Sequence, residues 1–370
     1  MFRCPALLLA LCCFLPCPAP AQAPPTVEVL AEGLDQPWAL TELADGRLLI
    51  TERPGRLRVF ENGQLLAQAV EGLPPVLALG QGGLLEVLAD RNHADNGWIY
   101  LTWSHGSRRD NATRLGRARL DGLRLVDLQV LFTARPGKRG GAHYGGRLAQ
   151  LPDGSLVLGL GDAFSEREQA QRLDSHLGKI VRVGADGAVP ADNPFVGRSE
   201  VLPEIYSFGH RNVQGIAWDA QRGVLWAHEH GPRGGDELNR IEPGVNYGWP
   251  VATAGRDYSG AQISPFASYD GMRDPLYGWT PSIAPAGLAM YRGEQFPGWD
   301  GSLLVTALAG RALHRLSPRS DGGFDEERLL LDLGERLREV RVASDGSVLL
   351  LTDSPRGKLL RLKPAAGTGE

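Results

Sequence analysis

The sequence is almost free of cysteine, and its few thiols are confined to one end. The 370 residues contain only Cys4, Cys12, Cys13 and Cys17. The same segment carries one cation, Arg3, an apolar run over residues 6–15 and small residues at 21–23, a layout typical of a cleavable secretory signal. We expect residues 1–23 to be removed, with a lipid-anchored form as the alternative. A mature chain over 24–370 would lack cysteine altogether, which excludes disulfides, zinc–thiolate sites and cysteine nucleophiles.

The chain also lacks a polybasic stretch. Its 39 Lys and Arg and 43 Asp and Glu residues give a formal charge of −4, and positive and negative residues are interspersed along the whole length. This pattern argues against nucleic acid or an anionic membrane as a partner. We expect a periplasmic or secreted protein with no membrane span, either a monomer or a homodimer.

Long helical periodicity is missing as well, apart from a possible short helix around Glu166–His176. Instead, short β-type runs recur, and each is entered through a turn dipeptide that ends in glycine. The six dipeptides are Asp45-Gly46, Asn96-Gly97, Asp153-Gly154, Arg222-Gly223, Asp300-Gly301 and Asp345-Gly346. Such dipeptides favour tight hairpins, because glycine accepts a positive φ angle without strain.

Each turn is preceded by another strand-like segment, and many units then end in an alternating strand such as RLRVFENG. Six repeated antiparallel sheets predict a six-bladed β-propeller formed by residues 24–370 as one domain. We expect the early strand over residues 27–30 to pair with residues 359–363 and so close the ring. Two β-sandwiches are the alternative fold.

In a propeller, the residues just before each innermost strand gather at one mouth of the central channel. The residues in these positions are polar or aromatic: Gln81, His143, Arg211, Asn212, Trp279, Arg336 and Arg338. Three guanidiniums, two amides and an imidazole in one opening predict a site for an anion beside a base. The competing interpretation is that these side chains only cap strand ends.

His143 is a candidate general base. It lies in the glycine-rich segment GAHYGGRLAQL, and Asp162 follows at the exit of the next strand, in GLGD. Because a hairpin brings these two strand ends together, the carboxylate can orient the imidazole and raise its proton affinity. A purely structural His–Asp pair remains the alternative.

The longest polar loop follows His228, Glu229 and His230. Spacing of i and i+2 on a strand turns both histidines to one face without a third ligand, so zinc is disfavoured. Asp219, Asp236 and Glu237 are oxygen donors near an irregular, glycine-rich loop, and such a set suits calcium.

Several long segments, in order, resemble one known family. They are GAHYGGRLAQLPDGSLVLGLGD, LGKIVRV, GHRNVQG, EHGPRGGDELN, NYGWP, WTPSIAPAG and RLREVRVASDGSVLLLTD. These motifs are similar to those of the soluble, periplasmic PQQ-dependent aldose sugar dehydrogenases, relatives of soluble glucose dehydrogenase, over about residues 30–362.

The resemblance implies oxidation of an aldose sugar at its anomeric carbon to a lactone, with hydride passing to PQQ with the help of Ca²⁺. By the same resemblance, His143 is the base and Asp162 its supporting carboxylate. The positions that match the family's cofactor-holding residues are Gln81, Arg211, Asn212, Tyr258, Arg336 and Arg338. Gly231 and Pro232 match the pair whose carbonyls hold the catalytic calcium. Glu237 and the carbonyl of Tyr247 match a second, structural calcium site.

One position departs from the family pattern. Ala309 stands where a cofactor-contacting lysine is common, and Arg311, two residues on, is the candidate replacement. Loss of one charge-assisted contact costs roughly 1.5–3 kcal/mol. Two other functions stay open: a calcium-dependent lactone hydrolase on the same fold, and a non-catalytic periplasmic propeller that binds sugar or peptide. The physiological electron acceptor is unknown.

Overall fold

The structure, a computed structural model, describes residues 24–365 and contains six four-stranded antiparallel sheets. The predicted signal segment 1–23 lies outside the described residues. In chain order the inner strands are β2 (Pro37–Glu42), β6 (Leu84–Ala89), β10 (Leu148–Gln150), β14 (Val213–Asp219), β18 (Pro285–Met290) and β22 (Leu337–Val342). The second strands are β3 (Leu48–Glu52), β7 (Trp98–Ser107), β11 (Leu156–Gly159), β15 (Val224–Glu229), β19 (Leu303–Ala307) and β23 (Val348–Thr352).

The outer half of each sheet is formed by two further strands. The third strands are β4 (Arg56–Glu61), β8 (Asp110–Asp121), β12 (Lys179–Val183), β16 (Asp236–Ile241), β20 (Leu313–Pro318) and β24 (Gly357–Lys363). The outermost strands are β5 (Gln64–Leu65), β9 (Arg124–Thr133), β13 (Ile205–Phe208), β17 (Tyr277–Trp279), β21 (Phe324–Leu329) and, in the last sheet, β1 (Thr26–Leu34). The predicted six-bladed propeller is confirmed.

All six turn dipeptides lie between the first and second strand of a blade. Their glycines have φ angles of 64 to 84°. A side chain at such an angle would be strained, so glycine at this point fixes the register of every inner hairpin.

The hydrophobic core lies between neighbouring blades. One cluster joins Trp38 and Leu49 of the first blade to Leu84 and Ile99 of the second. Each twisted sheet thus buries its apolar face against the next one, and closure of the ring leaves few exposed edges.

The ring closes as expected. β1 pairs antiparallel with β24, and Thr26 lies opposite Lys363. The N-terminal strand is therefore the outermost strand of the sixth blade.

Helical structure is scarce. A single α-turn, α1 (His93–Asn96), and two 3₁₀ turns, Arg167–Gln171 and Leu331–Leu333, are present in the part of the chain described. The first 3₁₀ turn falls inside the segment where a short helix was expected. No helix between residues 24 and 365 has the length and apolar character needed to cross a membrane.

The central channel is filled by buried charges a short way below the start of the inner strands. Arg147 donates to the carboxylates of Glu86, at 3.3 Å, and of Glu339. It also donates to the carbonyl oxygens of Gln214 at 2.8 Å and Arg338 at 3.1 Å. This single guanidinium of the third blade connects the second, fourth and sixth blades.

Candidate active site

A cavity of about 320 Å³ opens at the mouth where the inner strands begin. Four of the predicted residues line it: Gln81, Asn212, Arg336 and Arg338. His143 does not itself line this cavity: its chain neighbours Tyr144 and Gly145 do, and His143 lines a separate small cavity together with Tyr144. The topology explains this convergence, because each inner strand starts at the same face of the ring.

His143 and Asp162 meet as the sequence indicated. The Nδ1 atom of His143 lies 2.6 Å from Oδ1 of Asp162, and only 4% of the histidine is exposed. The other carboxylate oxygen accepts the indole N–H of Trp249 at 2.8 Å. With Nδ1 held by the carboxylate, Nε2 is the ring nitrogen that can take up a proton.

The pKa of His143 is lowered, chiefly because burial disfavours the charged imidazolium. The hydrogen bond that Asp162 accepts from the imidazole acts in the opposite direction, as expected, but it does not outweigh burial together with the positive charges of Arg211 and Lys138. The imidazole is therefore neutral at neutral pH, the state that a base requires.

The backbone around His143 is fixed by the two predicted amides. Gln81 accepts the backbone N–H of His143 at 2.8 Å, and Asn212 accepts that of Gly145 at 3.3 Å. His143 itself has a φ angle of 50°. These two amides therefore help to hold a backbone conformation that is uncommon for a residue with a side chain.

Two guanidiniums share one carboxylate at the far wall of the cavity. Asp353 accepts from Arg336 at 2.7 Å and from Arg338 at 3.1 Å. The Nε atom of Arg338 is buried and has no hydrogen-bond partner within residues 24–365. The single carboxylate of Asp353 leaves one of the two positive charges uncompensated, and the Nε atom of Arg338 is still free to donate. This arrangement fits an anionic ligand such as a carboxylate of PQQ.

Arg211 is buried and contacts the loop that was expected to hold calcium. Its Nη1 atom donates to the carbonyl oxygens of His230 at 3.0 Å and Gly231 at 2.7 Å. Its guanidinium carbon lies 6.0 Å from the ring centre of Tyr258, a residue that is 58% exposed at the rim. The carbonyl of Gly231 is thus engaged by a guanidinium in this structure.

The expected calcium residues lie in the same blade. Pro232 and Tyr247 are buried, and Glu237 stands opposite Glu229 on neighbouring strands. Burial and the charge of Glu229 hold the pKa of Glu237 well above its usual range, so a cation here would relieve an uncompensated carboxylate. Among residues 24–365, no three His, Cys, Asp or Glu side chains form a metal-binding cluster, so either calcium site would need carbonyl ligands.

Arg311 does not line the cavity in this structure. It lies on the mouth face in the loop after β19, is exposed, and donates to the carbonyl of Gly334 at 3.3 Å. Ala309 is exposed in the same loop, whereas the nearby Leu308 does line the cavity. The missing lysine is therefore not replaced by a contact of Arg311 with the cavity wall.

Two sequence-based expectations about the site are wrong. Trp279 neither precedes an inner strand nor lines the cavity, because it ends the outermost strand β17, where its indole donates to Glu326 at 2.7 Å. Asp219 is not near the calcium loop, because it lies at the opposite end of β14 and pairs with Arg222 and Arg292.

The two histidines of the polar loop behave as their spacing indicated. His228 and His230 both face β18, and they approach the carbonyls of Gly287 at 3.4 Å and Pro285 at 2.7 Å. In each ring these contacts occupy the Nε2 atom, whereas Nδ1 of His228 is buried without a hydrogen-bond partner among residues 24–365. Burial keeps the pKa of His230 well below its usual range.

Four further cavity residues, none of them predicted to lie there, follow the second strands. Arg53, His230, Leu308 and Asp353 line the cavity and lie immediately after β3, β15, β19 and β23. Since a second strand runs antiparallel to its inner strand, its end returns to the mouth. The sequence signal for these residues is the same as for Asp162, which also follows the second strand of its blade.

The comparisons with known proteins agree with this fold. Residues 34–361 match the Glucose / Sorbosone dehydrogenase family. Aldose sugar dehydrogenase YliI of Escherichia coli is 40% identical, with 93% of this chain and 94% of that protein covered. The chain belongs to the Glucose / Sorbosone dehydrogenase family.

Two solved structures add detail to this assignment. A crystal structure of a glucose dehydrogenase is 46% identical with a TM-score of 0.88, covering 91% of this chain and 99% of the other. The PQQ-bound aldose sugar dehydrogenase of Streptomyces coelicolor is 31% identical with a TM-score of 0.74, covering 92% and 100% of the two chains.

Proposed function

We propose that this protein is a PQQ- and Ca²⁺-dependent aldose sugar dehydrogenase. The observation that carries the proposal is the buried His143, oriented by Asp162 at 2.6 Å, next to a cavity whose wall holds two cations and one carboxylate. A base and an anion-binding wall around one opening are what the oxidation of a sugar by an acidic quinone requires.

The residues of this chain have separate roles in the proposed reaction. The Nε2 atom of His143 accepts the proton of the hydroxyl on the anomeric carbon as the sugar becomes a lactone. Asp162 stabilises the imidazolium that forms, because its carboxylate is fixed at Nδ1. Because both side chains are buried, water is kept away from the His143–Asp162 pair.

The cofactor would be held by Gln81, Arg211, Asn212, Tyr258, Arg336 and Arg338, and calcium by the carbonyls of Gly231 and Pro232. Bound PQQ would accept the hydride from the anomeric carbon, and calcium would polarise the quinone so that it accepts the hydride more readily. Glu237 and the carbonyl of Tyr247 are proposed for a second, structural calcium. The unpartnered Nε atom of Arg338 supports the anion-binding role most directly.

The proposal includes the cellular setting. Residues 1–23 are proposed as a signal peptide, and residues 24–370 as one catalytic domain that acts in the periplasm or outside the cell. This rests on the layout of the leader and on a family match that begins at residue 34.

Reconstitution tests the function. Addition of PQQ and Ca²⁺ to the purified protein should give aldose-dependent reduction of a dye, and His143→Ala should abolish turnover while PQQ still binds. Absence of dye reduction with every aldose tested would refute the proposal. Lactone hydrolysis by the calcium-loaded protein without PQQ would favour the hydrolase instead.

Cofactor binding is tested separately by titration with PQQ. Arg338→Gln should weaken binding by roughly tenfold or more, because one charge-assisted contact is lost. Arg356→Gln, an exposed arginine in the loop after β23, is the matched control and should bind PQQ like the wild type. Equal affinity of the Arg338 variant and the control would contradict the assigned cofactor wall.

A further inference from the structure

Two consecutive residues after Asp162 adopt a backbone conformation that normally requires glycine. Ala163 and Phe164 have φ angles of 61° and 71°. The backbone N–H of Phe164 donates to Oδ1 of Asp162 at 2.8 Å, the oxygen that also contacts His143. The turn is thus tied to the catalytic carboxylate, and its strain is maintained where the chemistry occurs.

This turn presents a large apolar ring to solvent. Phe164 is 53% exposed, and the edge-to-face contact of its ring with the His143 imidazole has a centroid distance of 5.1 Å. Tyr258 lies beyond it, with ring centroids 6.3 Å apart and an angle of 22° between the planes. Two exposed aromatic rings therefore stand side by side next to the base.

Packing does not account for this arrangement. A phenylalanine that is half exposed forgoes much of the free energy of burial, and here the backbone strain adds a further cost. Exposed apolar surface beside a polar cavity is typical of a binding site.

The chemistry of the surroundings points to the ligand. A pyranose ring has hydroxyl groups around its edge and an apolar C–H face. The amides and guanidiniums of the cavity are assigned to the cofactor, whereas Phe164 supplies a flat apolar surface directly beside the group that takes the proton. A sugar seated against this ring would present its anomeric hydroxyl toward His143.

We propose that Phe164 is a substrate-binding residue that receives the C–H face of an aldose pyranose, with Tyr258 as the outer wall of the same subsite. The inference rests on the proposed function, since it places the substrate of that reaction. Phe164 thereby selects for sugars in the ring form with an uninterrupted C–H face.

Four variants test the role of Phe164. Phe164→Ala removes the aromatic ring. Phe164→Leu keeps an apolar side chain next to the imidazole of His143 but has no flat surface, whereas Phe164→Trp provides a flat aromatic surface again. Alanine is preferred to glycine because glycine would also release the strained turn. Phe266→Ala is the matched control, since Phe266 is 45% exposed and contacts Tyr269 in an aromatic pair elsewhere in the chain.

Kinetics of the PQQ- and Ca²⁺-loaded enzyme give the first measurement. We expect the alanine and leucine variants to raise KM by about tenfold with kcat changed by less than about threefold, consistent with the loss of one aromatic contact. The tryptophan variant and the control should keep a KM close to the wild-type value. An unchanged KM in the alanine variant, or a leucine variant equal to the wild type, would overturn the inference.

Saturation-transfer NMR of an aldose on the reduced protein loaded with PQQ and Ca²⁺ gives the second measurement. It separates the proposed dehydrogenase function from the proposed Phe164 subsite. Irradiation of aromatic protons should label the ring C–H protons of the sugar in the wild type and in Phe266→Ala, but not in Phe164→Ala. If the wild type oxidises no aldose but shows this labelling, the proposed function fails and the subsite stands. If oxidation occurs without Phe164-dependent labelling, the function stands and the subsite is wrong.

Discussion

The indole of Trp249 donates to Oδ2 of Asp162 at 2.8 Å, although the two residues are 87 positions apart in the chain. The carboxylate that orients His143 is therefore fixed from the long segment that connects β16 to β17. Trp249→Phe keeps the ring but removes this donor, and we expect kcat to fall by about tenfold or more, because a hydrogen bond to a charged group is lost.

Trp218→Phe is the matched control for this experiment. The indole nitrogen of Trp218 is buried and has no hydrogen-bond partner within residues 24–365, so its removal should leave kcat nearly unchanged. Equal kcat values for the two variants would show that the Trp249 contact does not support the base.

Lys138 should set the pH dependence of the reaction. It is 5% exposed, donates to the carbonyl of Ala142 at 2.7 Å and lies 3.5 Å above the ring centre of Tyr144. Burial lowers its own pKa to about 8. When charged, it acts with Arg211 to lower the pKa of His143, against the opposing effect of Asp162.

Lys138→Met removes this charge at similar volume, so the pKa of His143 should rise. Because the protonated imidazole cannot act as a base, the acid limb of the plot of kcat/KM against pH should move to higher pH. Arg139→Met, which changes the exposed neighbouring cation, should leave the limb in place. A limb that stays in place or moves to lower pH in the Lys138 variant would be the contrary result.

Arg147 should be among the residues on which stability depends most. Arg147→Met removes one of the two guanidiniums that the buried carboxylates of Glu86 and Glu339 share, and only Arg341 remains with both. We expect the free energy of unfolding in urea to fall by about 3 kcal/mol, the lower end of the range for a broken buried pair, because Arg341 still compensates part of the charge. Arg315→Met, which breaks a more exposed pair with Glu327, should cost no more than about 1 kcal/mol. Similar losses in the two variants would contradict this account.

Calcium should stabilise the fourth blade through Glu237. At a hundredfold excess over Kd, a bound ion adds about 2.7 kcal/mol to the free energy of unfolding, and Tm should rise accordingly. Glu237→Gln should remove most of this gain. Glu242→Gln, which changes a carboxylate of the same blade paired with Arg273, should retain it. A calcium-dependent rise in Tm of the same size in both variants would place the ion elsewhere.

The fold could be predicted because its signal is local and repeated. Each inner hairpin requires a glycine with positive φ, and the six dipeptides show this requirement directly in the sequence. The residues that precede the inner strands were equally predictable, except in the fifth blade. In that blade a long irregular connection precedes β17. Trp279 was therefore predicted to precede the inner strand β18, whereas it belongs to β17.

The remaining features depend on interactions that no local pattern records. The net shift in the pKa of His143 is a balance between burial and three charges from different loops. The partnership of Arg147 with Glu339 spans 192 positions. The exposure of Phe164 follows from two strained φ angles that neither Ala163 nor Phe164 would suggest.

The pairing of β1 with β24 has a consequence for how the protein is made. The first strand to be synthesised cannot find its neighbour until nearly the whole polypeptide is available, and contacts this distant slow the search for the native state. Until then both edges are open to other molecules. Loss of the final strand should therefore produce aggregation rather than a smaller working enzyme.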